Sequence, residues 1–252
     1  MFSDFSIPKT HPRYHSLLIR EKLVEGFKKK IVVPEGLIAQ GRGEAFDYIL
    51  GERTLPPAKK AIKTASAFFL LAKYPVLSVN GNSAVLAGRE IVKLAEVINA
   101  EIEVNLFYRT KEREKRIERL LKSFGARRIL GANAKNMVKI KELESERRKV
   151  DREGIFKADV VFVPLEDGDR TEALVKMGKK VIAVDLNPFS RTAQKATVTI
   201  VDNIVRALPL LISECKKFKK LPSKKLELIV RNYQNKKVLK EMEKFIKKRL
   251  MS

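Results

Sequence analysis

Three short polar loops carry the side chains best suited to handling a phosphorylated ligand. Each follows a β-branched apolar run. Residues 160–163 lead into Glu166-Asp167-Gly168-Asp169-Arg170, residues 181–184 into Asp185-Leu186-Asn187-Pro188, and residues 198–201 into Asp202-Asn203. Carboxylates and amides placed there, Asp185, Asn187, Asp202 and Asn203 among them, offer hydrogen-bonding groups to a ligand. Two further stretches suit anions. Between Gly36 and Asp47, the glycines Gly36, Gly41 and Gly43 surround Arg42. We read this stretch as a loop in which glycines let the backbone approach a ligand and an arginine forks onto phosphate oxygens. Asn80-Gly81-Asn82-Ser83 joins a strand to a helix expected to begin near Ala84, and a helix N-terminus is a ready anion site. Arg109 follows another strand end. Neither glycine stretch ends in Gly-Lys-Ser/Thr or spells GxGxxG, so Walker A and dinucleotide fingerprints are both missing.

The elements that position these loops follow from periodicity. Short apolar runs without alternation read as strands buried on both faces. Besides the three above, residues 76–79, 101–107 and 128–130 read as strands. Helical spacing of apolar residues marks helices over about 14–29, 56–73, 202–218, 223–232 and 236–248, besides the one expected to begin near Ala84. Thr110 should cap a further helix, to about Phe124, whose charges at i,i+4 spacing form a solvated face. Residues 131–157 are polar and aperiodic, as expected of an excursion over the site or a subunit interface. Alternating strands and helices predict an α/β fold: a Rossmann-like, mainly parallel sheet with helices on both faces, plus C-terminal helices. Open sheets of this kind place their chemistry beyond the carboxyl ends of the strands.

Composition narrows the class. With 252 residues, 44% of them hydrophobic, the chain can build a substantial core and is not disordered. No apolar run approaches the roughly 20 residues that span a bilayer. The first residues lack a basic n-region and an apolar h-region, so no signal peptide is expected. A single cysteine, Cys215, in an apolar helical run, reads as packing and fits a cytoplasmic setting. The net charge of +23 points to an anionic partner. Nearly half of that excess lies in residues 216–252, which hold 14 Lys and Arg against 3 Asp and Glu.

Several strings together resemble one family: IPKTHPRY (7–14), GLIAQGRGEAFDY (36–48), VNGN (79–82), VNLFYRT (104–110), PLEDGDRTEALV (164–175) and VDNIVRA (201–207). They are similar to archaeal 4-phosphopantoate–β-alanine ligases, also called phosphopantothenate synthetases, over about residues 7–215. The resemblance implies an enzyme of archaeal coenzyme A biosynthesis. It would join 4-phosphopantoate to β-alanine with ATP through an acyl-adenylate, releasing AMP and pyrophosphate. It also implies a homodimer on a Rossmann-like sheet. Carried over residue by residue, it implies that Arg20, Arg42, Asp185, Leu186, Asn187, Arg191, Thr192, Asp202 and Asn203 bind ATP. Of these, Arg42 is expected to be catalytic, and Arg20, Arg42 and Arg191 to face the triphosphate. Mg²⁺ is expected to help neutralise the phosphates, and no residue is assigned to it. Local chemistry, rather than the resemblance, nominates Asn80, Gly81, Asn82, Ser83 and Arg109 for 4-phosphopantoate. The expected division is a ligase domain over residues 1–215, with an N-terminal helical arm, and a basic helical extension over 216–252.

Two other classes compete. A basic nucleic-acid-binding protein on the same fold would explain the +23, but the chain has no Trp, 5 Tyr and no recognisable binding motif. An NAD-dependent oxidoreductase would need the missing glycine fingerprint. No membrane partner is expected.

Overall fold

The computed structural model describes residues 7–132, 136–165 and 167–251. Glu166, part of the first polar loop, lies outside the described residues, as do 1–6, 133–135 and 252. In chain order come α1 (Tyr14–Lys28), α2 (Pro34–Leu50), α3 (Pro56–Leu71), β1 (Pro75–Val79), α4 (Gly81–Ile98), β2 (Glu101–Val104) and α5 (Lys111–Ser123). Then follow β3 (Met137–Lys139), β4 (Lys149–Asp151), β5 (Val160–Pro164), α6 (Gly168–Lys176), β6 (Lys180–Val184), α7 (Arg191–Lys195), β7 (Val198–Ile200), α8 (Ile204–Phe218), α9 (Ser223–Arg231) and α10 (Asn235–Leu250).

Five of the strands form one parallel sheet in the order β2-β1-β5-β6-β7. The order reverses between β1 and β5, so the crevice beyond their carboxyl ends is where an open sheet accepts a ligand. Side chains alternate across the sheet. Leu77, Val79, Phe162, Ile182 and Val184 face a core with α3, α4 and α8, while Val76, Val161, Val163, Val181 and Ala183 face α6 and the excursion. Both faces are therefore covered, as the sequence predicted. Each fully buried aliphatic or phenyl side chain here contributes about 1.5–3 kcal/mol.

The strand ends and the helix starts are chemically linked. Asn80 begins α4 with a capping box: its side chain accepts from Ser83 N at 2.9 Å, and Ser83 Oγ accepts from Asn80 N at 3.0 Å. Thr110 caps α5, Asp167 caps α6, Ser190 caps α7 and Asn203 caps α8. These caps satisfy amides that the first helical turn leaves without intrahelical partners.

Several expectations are corrected. Residues 36–47 are not a loop but lie within helix α2, with Pro34 at its first turn and Gly51 as a left-handed C-cap. Gly36 serves close packing instead, since a Cβ there would lie 2.5 Å from Asn82 Oδ1, whereas a Cβ at Gly43 would meet Leu186 Cδ1 at an ordinary 3.4 Å. The α4 helix begins at Gly81 rather than near Ala84, because Asn80, one residue after β1, already makes the cap. β2 stops at Val104 rather than reaching residue 107, and Asn105, next in the chain, donates through its side-chain amide to the Arg147 and Lys149 carbonyls. Residues 128–130 contribute a single parallel bridge, Leu130 to Glu103, rather than a strand. On α5 the solvated face is real only outward, for Ile117 and Leu121 are fully buried.

Candidate active site at the carboxyl edge of the sheet

A cleft of about 570 Å³ opens at this switch point. One wall is α2, which presents Glu35, Ala39, Arg42, Gly43 and Phe46. The floor is Asn80, Gly81 and Asn82 at the start of α4, with Leu165 after β5. The far wall is Asp185, Leu186, Asn187 and Ser190, and the rim is Leu106, Phe107 and Tyr108 with Arg113 and Arg147. Three arginines from three separate segments thus converge beside a helix N-terminus, an arrangement that favours polyanions.

Asn80 fixes the floor. Besides capping α4, its Nδ2 donates to the carbonyls of Pro164 at 3.0 Å and Leu165 at 3.1 Å, tying the ends of β1 and β5 together. Asn82 Nδ2 donates to Gly36 O at 2.8 Å and so joins floor to wall. The 185–190 loop is held from within. Asp185 accepts from Asn187 N at 2.9 Å and from the Ser190 hydroxyl, and Asn187 Oδ1 accepts from Phe189 N at 2.9 Å. Burial raises the Asp185 pKa, while Ser190, the Asn187 amide and the Arg42 charge oppose that rise.

Arg113 is set by two backbone carbonyls, Ile31 at 2.8 Å from Nε and Tyr108 at 2.7 Å from Nη1. Arg147 forms an ion pair with Asp167 at 2.9 Å. Burial lowers both guanidinium pKa values, and the neighbouring Arg170 lowers that of Arg147 further. Both stay cationic, because guanidinium titrates far above neutrality. The sequence did not single out either arginine. The Thr110 cap was a usable signal for Arg113, which sits in the first turn of α5, whereas Arg147 lies in the aperiodic excursion and had none.

Of the residues nominated from sequence, the cleft gathers Arg42, Asp185, Leu186, Asn187, Asn80, Gly81 and Asn82. The others lie elsewhere. Ser83 is buried in the capping box. Arg109 sits behind the rim, pairing with Glu114 at 3.2 Å and donating to Lys149 O at 3.2 Å. Arg20 projects from α1 to Glu44 at 2.8 Å and is not among the cleft residues. Arg191 pairs with Asp169 and Glu172 in a second recess of about 320 Å³ that also includes Glu142, Glu144, Lys176 and Phe107. Thr192 is buried in α7. Asp202 and Asn203 belong to a buried network at the foot of α2: Asp202 accepts from Thr54 Oγ1 at 2.6 Å and from Arg206, and Asn203 Nδ2 donates to Asp47 at 2.9 Å. Among the described residues no group of three or more His, Cys, Asp or Glu is arranged to hold a metal ion.

A sequence model described as phosphopantothenate/pantothenate synthetase matches residues 57–249. The chain belongs to this family. A protein of Thermococcus kodakarensis named 4-phosphopantoate–beta-alanine ligase is 53% identical over 246 residues, covering 97% of this chain and 94% of that one. Proteins of the same name from Thermococcus onnurineus and Methanosarcina mazei are 52% and 51% identical, over 97% and 93% of this chain. The family match continues through α9 and most of α10, beyond residue 215, where the resemblance read from sequence ended. Among the described residues no helix is long and apolar enough to cross a membrane.

Proposed function

We propose that this chain is a ligase that joins 4-phosphopantoate to β-alanine with ATP, yielding 4-phosphopantothenate, AMP and pyrophosphate in coenzyme A biosynthesis. The observation that carries the reading is the cleft itself: Arg42, Arg113 and Arg147 meet the N-terminus of α4 at the sheet's switch point. The names of relatives more than 50% identical supply the substrates.

A carboxylate does not acylate an amine directly, because oxide is too poor a leaving group. The pantoate carboxylate attacks the α-phosphorus of ATP, the bond to the pyrophosphate oxygen breaks, and an acyl-adenylate forms. The neutral amine of β-alanine then attacks the acyl carbon, the bond to the AMP oxygen breaks, and the amine proton passes to solvent. The first step unites two anions, so the chain's task is to neutralise and align them. We assign Arg42 to the phosphates of ATP, with Asp185, Leu186 and Asn187 around the adenosine. We assign Asn80, Gly81 and Asn82, joined by Arg113 and Arg147, to the phosphate of 4-phosphopantoate. Arg20, Arg191, Thr192, Asp202 and Asn203 remain assigned to ATP on the resemblance alone. Ser83 and Arg109 act only by holding the floor and the rim.

Mg²⁺ would spread the charge of the triphosphate. It would be carried by the phosphates themselves, as Mg²⁺ bound with substrate phosphates and waters usually is, and no residue of this chain is assigned to it. A homodimer and a cytoplasmic location belong to the same proposal. Exposed apolar side chains on α1 and α2, namely Val24, Phe27 and Ile38, give a dimer a surface to cover. The test is release of pyrophosphate from ATP, expected to require both 4-phosphopantoate and β-alanine for sustained turnover. Release that ignores both substrates would reject the reading.

A further inference from the structure

The excursion that carries Arg147 is tied to the sheet by polar side chains rather than by strand pairing. Its strands β3 and β4 pair with each other, outside the parallel sheet. Tyr74 and Lys179 donate to the Glu153 and Phe156 carbonyls, and the ties nearest Arg147 come from β2 and the residues after it. Glu103, 0% exposed, accepts from Asp151 N at 3.1 Å and from Ile155 N at 2.6 Å. Asn105, also fully buried, donates through Nδ2 to the carbonyls of Arg147 at 3.3 Å and Lys149 at 3.0 Å. Neither residue lines the cleft. Arg147, whose own carbonyl is the first of these anchor points and which lies four residues before the Asp151 amide, does line it.

A carboxylate suits the Glu103 position because both of its oxygens only accept. Glutamine would keep one accepting oxygen and point an N–H at the other amide. The fit is close, since a Cβ on Gly154 would lie 2.1 Å from Glu103 Oε2.

We propose that Glu103 is a positioning residue for the ligase reaction: by holding the Asp151 and Ile155 amides it fixes the segment bearing Arg147 against the 4-phosphopantoate end of the cleft. The inference rests on the functional reading above. It also gives the site a pH dependence. Burial pushes the Glu103 carboxyl up to about 7, against the pull of the two amides and Arg170. The charged groups facing it are Asp151 in β4, Arg170 from α6, Arg109 after β2 and Lys179 ahead of β6. Above this pKa the carboxylate accepts both amides. Below it, one oxygen carries a proton, becomes a donor facing an N–H, and that hold on the excursion is lost.

The test compares wild type with Glu103→Gln by steady-state kinetics from about pH 6 to 8. The variant should raise KM for 4-phosphopantoate roughly tenfold or more while KM for ATP shifts less than about threefold, the signature of one misplaced contact. It should also remove the wild-type limb near pH 7. The substrate phosphate, which titrates near pH 6, keeps its own limb in both proteins. Hydrogen exchange on the wild type needs no folded variant: protection of the Asp151 and Ile155 amides should drop as pH falls through about 7. Unchanged KM in Glu103→Gln, where Arg147→Ala raises it, would overturn the inference. So would protection that is flat with pH. Absence of wild-type turnover would instead sink the ligase reading, and the exchange data would still decide whether Glu103 grips the segment.

Discussion

Arg42 is an exposed residue on the cleft wall of α2, so its charge serves little in the core. Arg42→Ala should lower kcat/KM for ATP roughly a hundredfold or more, equivalent to about 2–4 kcal/mol of lost transition-state stabilisation, with Tm essentially unchanged. Near-wild-type turnover would remove Arg42 from the site. Cys215 gives the opposite case. It is fully buried, and desolvation pushes its thiol up to about 11. Since the thiolate is the nucleophile, native protein at pH 8 should not react with a disulfide reagent, while unfolded protein should yield one equivalent of thiol. Fast native labelling would contradict the packing assigned to α8. Residue chemistry was legible where a side chain projects directly from a strand end into the crevice, as for Asp185 and Asn187. The structure places Asp202 and Asn203 outside the cleft lining. They too follow a strand, but β7 is the outer strand, away from the β1–β5 switch point, and their side chains turn to Thr54, Arg206 and Asp47. Arg147 was illegible because its segment has no period from which to read a direction.

At the scale of elements, β1 and α4 act as one unit through Asn80. Its side chain caps the helix and links two strand ends, so Asn80→Ala removes a cap and the donor it supplies to the Pro164 and Leu165 carbonyls. The expected loss is about 1–3 kcal/mol, read as a fall in Tm of roughly 2–4 °C per kcal/mol. An unchanged Tm would show that the capping box contributes nothing to stability. The sheet was legible because its strands are apolar on both faces, a pattern no exposed element shares. The α2 helix was not. Three glycines within eight residues argue locally for a turn, yet Pro34 starts a helix there and Gly36 lets it press against Asn82. Tertiary contact, absent from any local window, decided that element.

For the whole molecule, the charge of +23 is concentrated toward the C-terminus, where α9 and α10 pack on the chain through Leu226, Val238, Leu239, Met242 and Ile246. Lys219, Lys220, Lys247 and Lys248 are exposed. Reversing all four to glutamate should change turnover at moderate salt less than about threefold, because charges beyond about 10 Å are largely screened. A large loss with the fold intact would mean that this surface reaches the active site. The apolar stripe of α10 was legible from its spacing; that the family match extends over most of α10 was not, because lysine runs carry no motif. The reaction proposed for the cleft is an adenylating amide synthesis. The most direct test uses 4-phosphopantoate labelled with ¹⁸O in its carboxylate, with ATP, β-alanine and mass-spectrometric analysis of the products. The account predicts 4-phosphopantothenate and AMP in equal amounts, with one labelled oxygen transferred to AMP. Formation of ADP and labelled inorganic phosphate, or of unlabelled AMP, would contradict it.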